Sequence, residues 1–324
     1  MFIGCTLSPH VIIPCYVVHR KAAIYLISIF TVILTLLTPV QARENVYPIP
    51  ENGARLIGQD ELYEVKKGDY FHSIAQFYNI GLVALMDANP GIDPFLPTQG
   101  TTLKIPTRML LPDVAYQGIV INLPELRLYY FEKNTNKVYV FPIGIGRLGR
   151  ETPIMETTIR TKIKNPSWTP TAKIRADYLA LHGNELPAVV LAGKNNPLGD
   201  YALQLAFADY SYLIHGTNQN FGIGMRVSAG CIRLNPVDIA WLFQQVAKGE
   251  PVRIINEPIK VSTEPNGKNI LEVHAPLSIT SEEKENNLLW VGDKVKFKNR
   301  NKVNNLKVKE ALLSHQGLAV NVDK

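Results

Sequence analysis

One cysteine and one histidine are spaced for chemistry. The stretch HGTNQNFGIGMRVSAGCIRL runs from His215 to Leu234 and carries Cys231 near its end. A thiol becomes a useful nucleophile at neutral pH beside a base or a positive charge. His215 is the candidate base, and Arg233 adds positive charge two residues past the cysteine. Gly230 removes the side chain next to the nucleophile, so a substrate carbonyl can approach the backbone N–H of Cys231. Ser228 is placed to hydrogen-bond within the same turn. The competing reading is a structural cysteine beside an unrelated core histidine, since free Cys is usually core.

The flanking elements favour a site. Tyr210, Tyr212 and Ile214 alternate with smaller residues, which predicts a strand over 210–214 ending at His215. After the cysteine comes NPVDIAWLFQQVAKG. Asn235 reads as an N-cap, Pro236 as first turn, and Gly249 as the stop. Ile239, Leu242, Phe243 and Val246 are spaced for one helix face. The cysteine is thus expected in a Gly-bounded turn between a strand-end histidine and a helix.

H-G-T, a spacer and S-x-G-C-I-R-L resemble the signature of the L,D-transpeptidase (YkuD-type) catalytic domain. The likeness extends upstream to PIGIGRLGRETP and NPSWTPTAKI. It is greatest to the Gram-negative periplasmic subgroup that links a Braun-type lipoprotein to peptidoglycan, and to its 3→3 cross-linking relatives. Many members carry His two residues before the cysteine, where this chain has Ala229. The resemblance implies a mainly β, β-sandwich-like catalytic domain in which Cys231 attacks a peptidoglycan tetrapeptide stem and His215 serves as base, then acid. It further implies that Gly216 orients His215 through its carbonyl, that Gly230 lies in the oxyanion region and that Arg233 positions substrate. The acceptor is a diaminopimelate amine, a lipoprotein lysine or water, the last giving a hydrolase. A catalytically silent peptidoglycan-binding scaffold is the alternative.

Residues 61–107 predict strand, helix, helix, strand. Asp69 reads as the N-cap of the first helix, which carries Ile74, Ala75 and Tyr78 on one face. YEVKKGD, ANPGIDP and GTTLKIP resemble a βααβ LysM module. That resemblance implies peptidoglycan binding in a groove between Gly68–Asp69 and Asn89–Pro90.

From Tyr116 the pattern turns β, with a hairpin signal at Pro124–Glu125. Gly144, Gly146 and Gly149 spell G-x-G-x-x-G after a strand. No helix follows, because Arg150-Glu151-Thr152-Pro153 breaks the chain, so a dinucleotide loop is not expected. Residues 165–199 read as a long irregular loop, which in a compact domain suggests a lid. Trp168 is its apolar contact, and His182 reads as an exposed polar residue. The catalytic domain is assigned to 116–256. Residues 258–324 form a small α+β extension with a hairpin signal at Asn266–Gly267 and a helix near Val308–Leu313.

Composition sets the compartment. Ala22–Pro39 is apolar, preceded by Arg20-Lys21 and followed by Val40-Gln41-Ala42. This reads as a secretory signal peptide over 1–42, with an uncleaved membrane anchor as the alternative. Residues 43–60 read as a linker. Cys5 and Cys15 fall in the leader, so the exported chain carries the single thiol Cys231 and no internal disulfide. The formal charge of +6 loses two with Arg20 and Lys21. That mild basic excess suits an anionic wall and argues against nucleic acid. No metal-spaced ligand cluster and no cofactor signal is present. The expected location is the periplasm.

Overall fold

The computed structural model describes residues 46–209, 211–219, 221–277, 295–298 and 300–324. The expected leader over 1–42, and Tyr210 at the start of the strand toward His215, lie outside the described residues. Among those residues no helix is long and apolar enough to cross a membrane.

β1 (Val46–Pro48) and β2 (Leu56–Ile57) open the described chain. The small βααβ unit follows, with β3 (Glu61–Glu64), α1 (Phe71–Phe77), α2 (Leu82–Ala88) and β4 (Thr102–Ile105). β3 and β4 pair antiparallel, Tyr63 opposite Leu103. Phe71, Ile74, Leu85, Leu103 and Ile105 form its core. The cap differs from expectation. Tyr70 stands at the N-cap, where its N–H donates to Ser73 Oγ at 3.3 Å and its carbonyl accepts from that hydroxyl at 2.7 Å. The Asp69 carboxylate instead accepts from the Tyr63 hydroxyl at 2.7 Å and from the Lys66 N–H at 2.8 Å.

β5 (Met109–Leu110) pairs with β2. The stretch expected as a linker over 43–60 is therefore woven into the fold where it is described. Ile57, Met109 and Leu111 are buried against Val120, Tyr129 and Val140. The physical reason is apolar area. These short runs cover the outer face of a sheet whose strands are buried on both sides.

That sheet contains β6 (Gly118–Asn122), β7 (Arg127–Phe131) and β8 (Lys137–Pro142). The β6–β7 hairpin turns at Leu123–Leu126, as Pro124–Glu125 suggested. β9 (Ile145–Gly146) is short, and β10 (Met155–Lys164) is long. α3 (Ala172–His182) lies inside the stretch expected to be irregular. Thr171 caps it through its hydroxyl, and Gly183 ends it in the left-handed conformation. The helix buries no residue, so no apolar periodicity marked it.

β11 (Tyr201–Leu205), β12 (Leu213–His215), β13 (Arg226–Ser228) and β14 (Ile232–Arg233) lead to α4 (Pro236–Gln245) and β15 (Pro251–Ile255). Nine strands join in the order β1-β8-β7-β6-β15-β10-β11-β12-β14. β10 joins the two halves. Its first residues pair with β15 and its later ones with β11, past an irregularity between Ile159 and Thr161. Ile119 and Ile121 from one half meet Leu203, Ile214 and Ile232 from the other. Ile239 and Leu242 of α4 close this core. The result is the mainly β, sandwich-like architecture expected, made from one sheet.

The C-terminal unit has β16 (Ile259–Thr263), β17 (Asn269–Val273), α5 (Asn305–Ser314) and β18 (Val320–Asn321). β16 and β17 form the hairpin signalled at Asn266–Gly267, and Gly267 adopts φ +78°.

Candidate active site

β12 and β14 run parallel, with Ile214 opposite Ile232 and His215 opposite Arg233. Cys231 directly precedes β14, level with Leu213. Arg233 stands opposite His215, and the bend that holds Cys231 comes immediately before β14, so the two strands bring the three residues to one edge of the sheet. The thiol is half-buried. A Leu213 backbone group hydrogen-bonds it, and its Sγ lies 3.7 Å from the Ser211 carbonyl oxygen. His215 is buried, and its Nδ1 lies 2.6 Å from the Gly216 carbonyl oxygen. A carbonyl only accepts, so Nδ1 carries the proton and Nε2 presents a lone pair. Gly216 is closely packed, since a Cβ would sit 3.1 Å from Ile239 Cγ2.

Both groups rest neutral. Burial, helped by the Arg233 charge, pulls the His215 imidazole down to about 4 against the Gly216 and Leu198 carbonyls. Burial pushes the Cys231 thiol up, although the Leu213 hydrogen bond and Arg233 act the other way. The expectation that Arg233 would favour the thiolate is thus outweighed by desolvation. A protonated thiol and a neutral imidazole are set for proton transfer during attack, not for a standing ion pair.

The turn is held from several sides. Ser228 Oγ donates to the Cys231 carbonyl at 2.5 Å and accepts from the Gly230 N–H at 3.2 Å. Gly230 has φ +111°, which disfavours any side chain, and its carbonyl accepts from Thr152 Oγ1 at 2.9 Å. Gly144 exchanges both backbone hydrogen bonds with Arg233, each 2.8 Å. Gly146 is closely packed, since a Cβ would come within 2.1 Å of the Arg150 carbonyl oxygen. Gly144 and Gly146 of the G-x-G-x-x-G stretch thus shape the wall of the cysteine turn, whereas Gly149 stands in the open. Among the described residues, the buried Arg226 Nε and Arg233 Nε have no acceptor. Sequence reasoning overlooked Thr152 and Arg226. Thr152 acts across 78 positions, which no local spacing reveals.

The 165–199 stretch arches out as a narrow-necked segment. Trp168 and Val190 pair at its neck, each N–H to the other's carbonyl at 2.8 Å. The buried Asn196 amide donates to the Pro166 carbonyl at 2.8 Å. His182 is exposed, with its ring 4.3 Å from that of Tyr178.

In the βααβ unit the expected glycan residues part company. Gly68 and Pro90 are exposed, and Asp69 is partly so. Asn89 is corrected. It is buried, and its amide donates to the Leu85 and Lys104 carbonyls at 2.8 Å each and accepts from the Lys104 N–H at 2.7 Å. It latches α2 to β4 and has no group to offer a sugar. The same unit docks on the catalytic helix. Asn79 Nδ2 donates to Asp238 Oδ1 at 3.2 Å, and Asn235 Nδ2 donates to Asp238 Oδ2 at 3.1 Å. Asn235 precedes α4 as expected, but its side chain makes this junction and does not cap. Burial pushes the Asp238 carboxyl up to about 6 despite these two hydrogen bonds. Beside it, Gly81 and Gly224 meet backbone to backbone, where a Cβ on Gly224 would lie 2.3 Å from Gly81 Cα.

Residues 116–254 match the L,D-transpeptidase catalytic domain, 258–322 the L,D-transpeptidase C-terminal domain and 63–106 the LysM domain. The chain is 52% identical over 251 residues to the probable L,D-transpeptidase YcfS of Escherichia coli K12, covering 76% of this chain and 78% of the relative. Identity to the probable L,D-transpeptidase YbiS of the same strain is 51% over 234 residues, 70% and 74% of the two chains. The putative L,D-transpeptidase YkuD of Bacillus subtilis is 31% identical over 196 residues, 59% of this chain and 97% of that one. With its catalytic, C-terminal and LysM regions all matched, the chain belongs to the L,D-transpeptidase family.

Proposed function

We propose that this protein is an L,D-transpeptidase of the cell wall that works through a Cys231 acyl-enzyme. The observation that supports the reading is a neutral His215, its Nδ1 on the Gly216 carbonyl, on the strand paired with the one that follows the Cys231 turn. Cys231 Sγ attacks the carbonyl between the third and fourth residues of a tetrapeptide stem, and its proton passes to His215 Nε2. Among the described residues the Cys231 N–H has no acceptor of its own and is the donor offered to the oxyanion. The Gly230 N–H is engaged by Ser228 Oγ, so Gly230 serves the oxyanion region through its open backbone. The carbon–nitrogen bond breaks, His215 returns the proton to the departing D-Ala amine, and a thioester remains. An acceptor amine then attacks the thioester, gives a proton to His215 and releases the thiol. Arg233 positions the donor stem through its guanidinium, which suits a carboxylate.

The LysM unit holds the enzyme on peptidoglycan, with Gly68, Asp69 and Pro90 at the groove. One such module binds weakly and adds avidity. The export reading places the enzyme in the periplasm, where a Braun-type lipoprotein lysine or a diaminopimelate amine serves as acceptor.

The test is intact mass after incubation with a disaccharide-tetrapeptide, beside a Cys231→Ala control. A thioester on Cys231 with D-Ala released is the expected result. Adding a peptide ending in the lipoprotein lysine, or a second stem, then identifies the acceptor. Folded protein that binds peptidoglycan but neither acylates nor releases D-Ala would leave only the scaffold reading.

A further inference from the structure

The loop from Gly146 to Thr152 is fastened to the cysteine turn at both ends. The Arg147 N–H donates to the Ser228 carbonyl at 3.0 Å, and Thr152 Oγ1 donates to the Gly230 carbonyl at 2.9 Å. Two guanidinium groups leave this loop and meet one carboxylate on α3. Arg150 Nη2 lies 2.5 Å from Asp177 Oδ2, and Arg147 Nη2 lies 3.5 Å from the same oxygen. The Arg150 side chain is 11% exposed, whereas that of Asp177 is 44% exposed. Asp177 has a second cation on its own helix, Lys173, at 3.9 Å.

α3 buries no residue, so apolar packing does not hold it down. An ion pair with a half-exposed carboxylate contributes little in water. The helix is therefore attached by its neck and by a contact that another carboxylate can replace. Arg150 is sheltered, and its acidic partner is not. Release of Asp177 costs little, because Lys173 stands ready to take it. Among the described residues the buried Nε atoms of Arg226 and Arg233 also have no acceptor.

We propose that Arg150, assisted by Arg147, receives the terminal carboxylate of the donor stem, and that Asp177 occupies that position until substrate arrives. The inference rests on the reading that the donor is a peptide with a free terminal carboxylate. That carboxylate lies one residue beyond the scissile carbonyl, which one arginine side chain based beside Gly230 spans. Bidentate recognition of a carboxylate suits a guanidinium. Entry of substrate exchanges one carboxylate for another and frees α3 from the loop.

The test compares a disaccharide-tetrapeptide with its terminal carboxamide, using thioester formation on Cys231. The unsubstituted protein should prefer the free acid by about tenfold or more, the effect of one charge-assisted hydrogen bond. Arg150→Gln should lose that preference by dropping the acid to the level of the amide, and Arg150→Lys should keep part of it. Asp177→Asn should keep the preference and lower KM for the acid severalfold. A second readout is independent of transfer, since iodoacetamide alkylation of Cys231 should quicken in both Arg150→Gln and Asp177→Asn. An unchanged acid preference in Arg150→Gln, or unchanged alkylation in both variants, overturns the proposal. Absence of any thioester, in protein that still alkylates, overturns the functional reading instead. Arg150 is then decided by whether the acid protects Cys231 better than the amide in unsubstituted protein, and equally in Arg150→Gln.

Discussion

Two buried histidines sit in opposite electrostatic settings. His274 lies in a closed cluster where its Nε2 is 2.8 Å from Glu272 Oε1. Lys260 Nζ is 2.8 Å from Glu125 and 3.1 Å from Glu272, and Arg127 Nη1 is 3.0 and 2.9 Å from the same two acids. Two carboxylates thus meet two cations. Burial pushes both carboxyls up, but Lys260, Arg127 and His274 together outweigh it and hold Glu125 and Glu272 below their usual range. Glu125, Glu272 and His274 are near enough to suggest a metal, yet the two cations already serve that charge. His215 has a carbonyl as its hydrogen-bond partner, a neighbouring arginine with a bare Nε, and a low pKa. The saturated cluster joins the β6–β7 hairpin, the C-terminal hairpin and Leu110, so it fixes how three segments fit. The unsaturated one leaves donors for a ligand.

This contrast can be broken experimentally. The largest expected effect is Lys260→Ala, which strands two buried carboxylates and should destabilise by about 3–5 kcal/mol in urea unfolding. The acylation rate per folded molecule should hold. Unchanged unfolding would mean that the cluster does not staple the C-terminal unit. His215→Gln should do the reverse, lowering acylation about 10²–10⁴-fold while the unfolding midpoint moves little. Because His215 is pulled to about 4, the acid limb of kcat/KM should fall near pH 4. A limb near the ordinary histidine value would show that the imidazole is not desolvated.

The LysM junction offers a third contrast. Asp238 is raised to about 6, so the folded state binds its proton more tightly than the unfolded chain. Its contribution favours folding below the unfolded value and is lost as pH rises through about 6, by roughly 3 kcal/mol. Glu125 and Glu272 act in the opposite sense, losing stability as pH falls. The difference in unfolding free energy between the unsubstituted protein and Asp238→Asn should therefore change across pH 4–6. A flat difference would sink the desolvated-carboxyl account. Smallest is Ser228→Ala, which removes two turn hydrogen bonds and should slow acylation by about fivefold, near 1 kcal/mol. Faster acylation would instead indicate that the freed Gly230 N–H serves the oxyanion.

Much of this was readable in advance, for local reasons. A strand that delivers His215, though it is limited to 213–215, the Gly-Cys turn, Pro236 and the face of Ile239 and Leu242 are short-range signals that the fold obeys. So are the hairpins at Pro124–Glu125 and Asn266–Gly267. Asp69 misled as a cap, because its side chain found partners that capping geometry does not include, whereas Asn235 holds the N-cap position but turns its side chain to Asp238. Asn89 misled as a sugar ligand, because its burial depends on how α2 meets β4.

By itself the sequence determined which residues could react and which short elements carry them, since propensity, capping and periodicity act over a few residues. Only the tertiary structure decided their state. The neutral thiol and imidazole, the Thr152 hold on Gly230, the Arg150–Asp177 contact and the Glu125–Lys260 cluster all join distant positions. Desolvation and charge pairing depend on what surrounds a group in space, and linear spacing does not encode that.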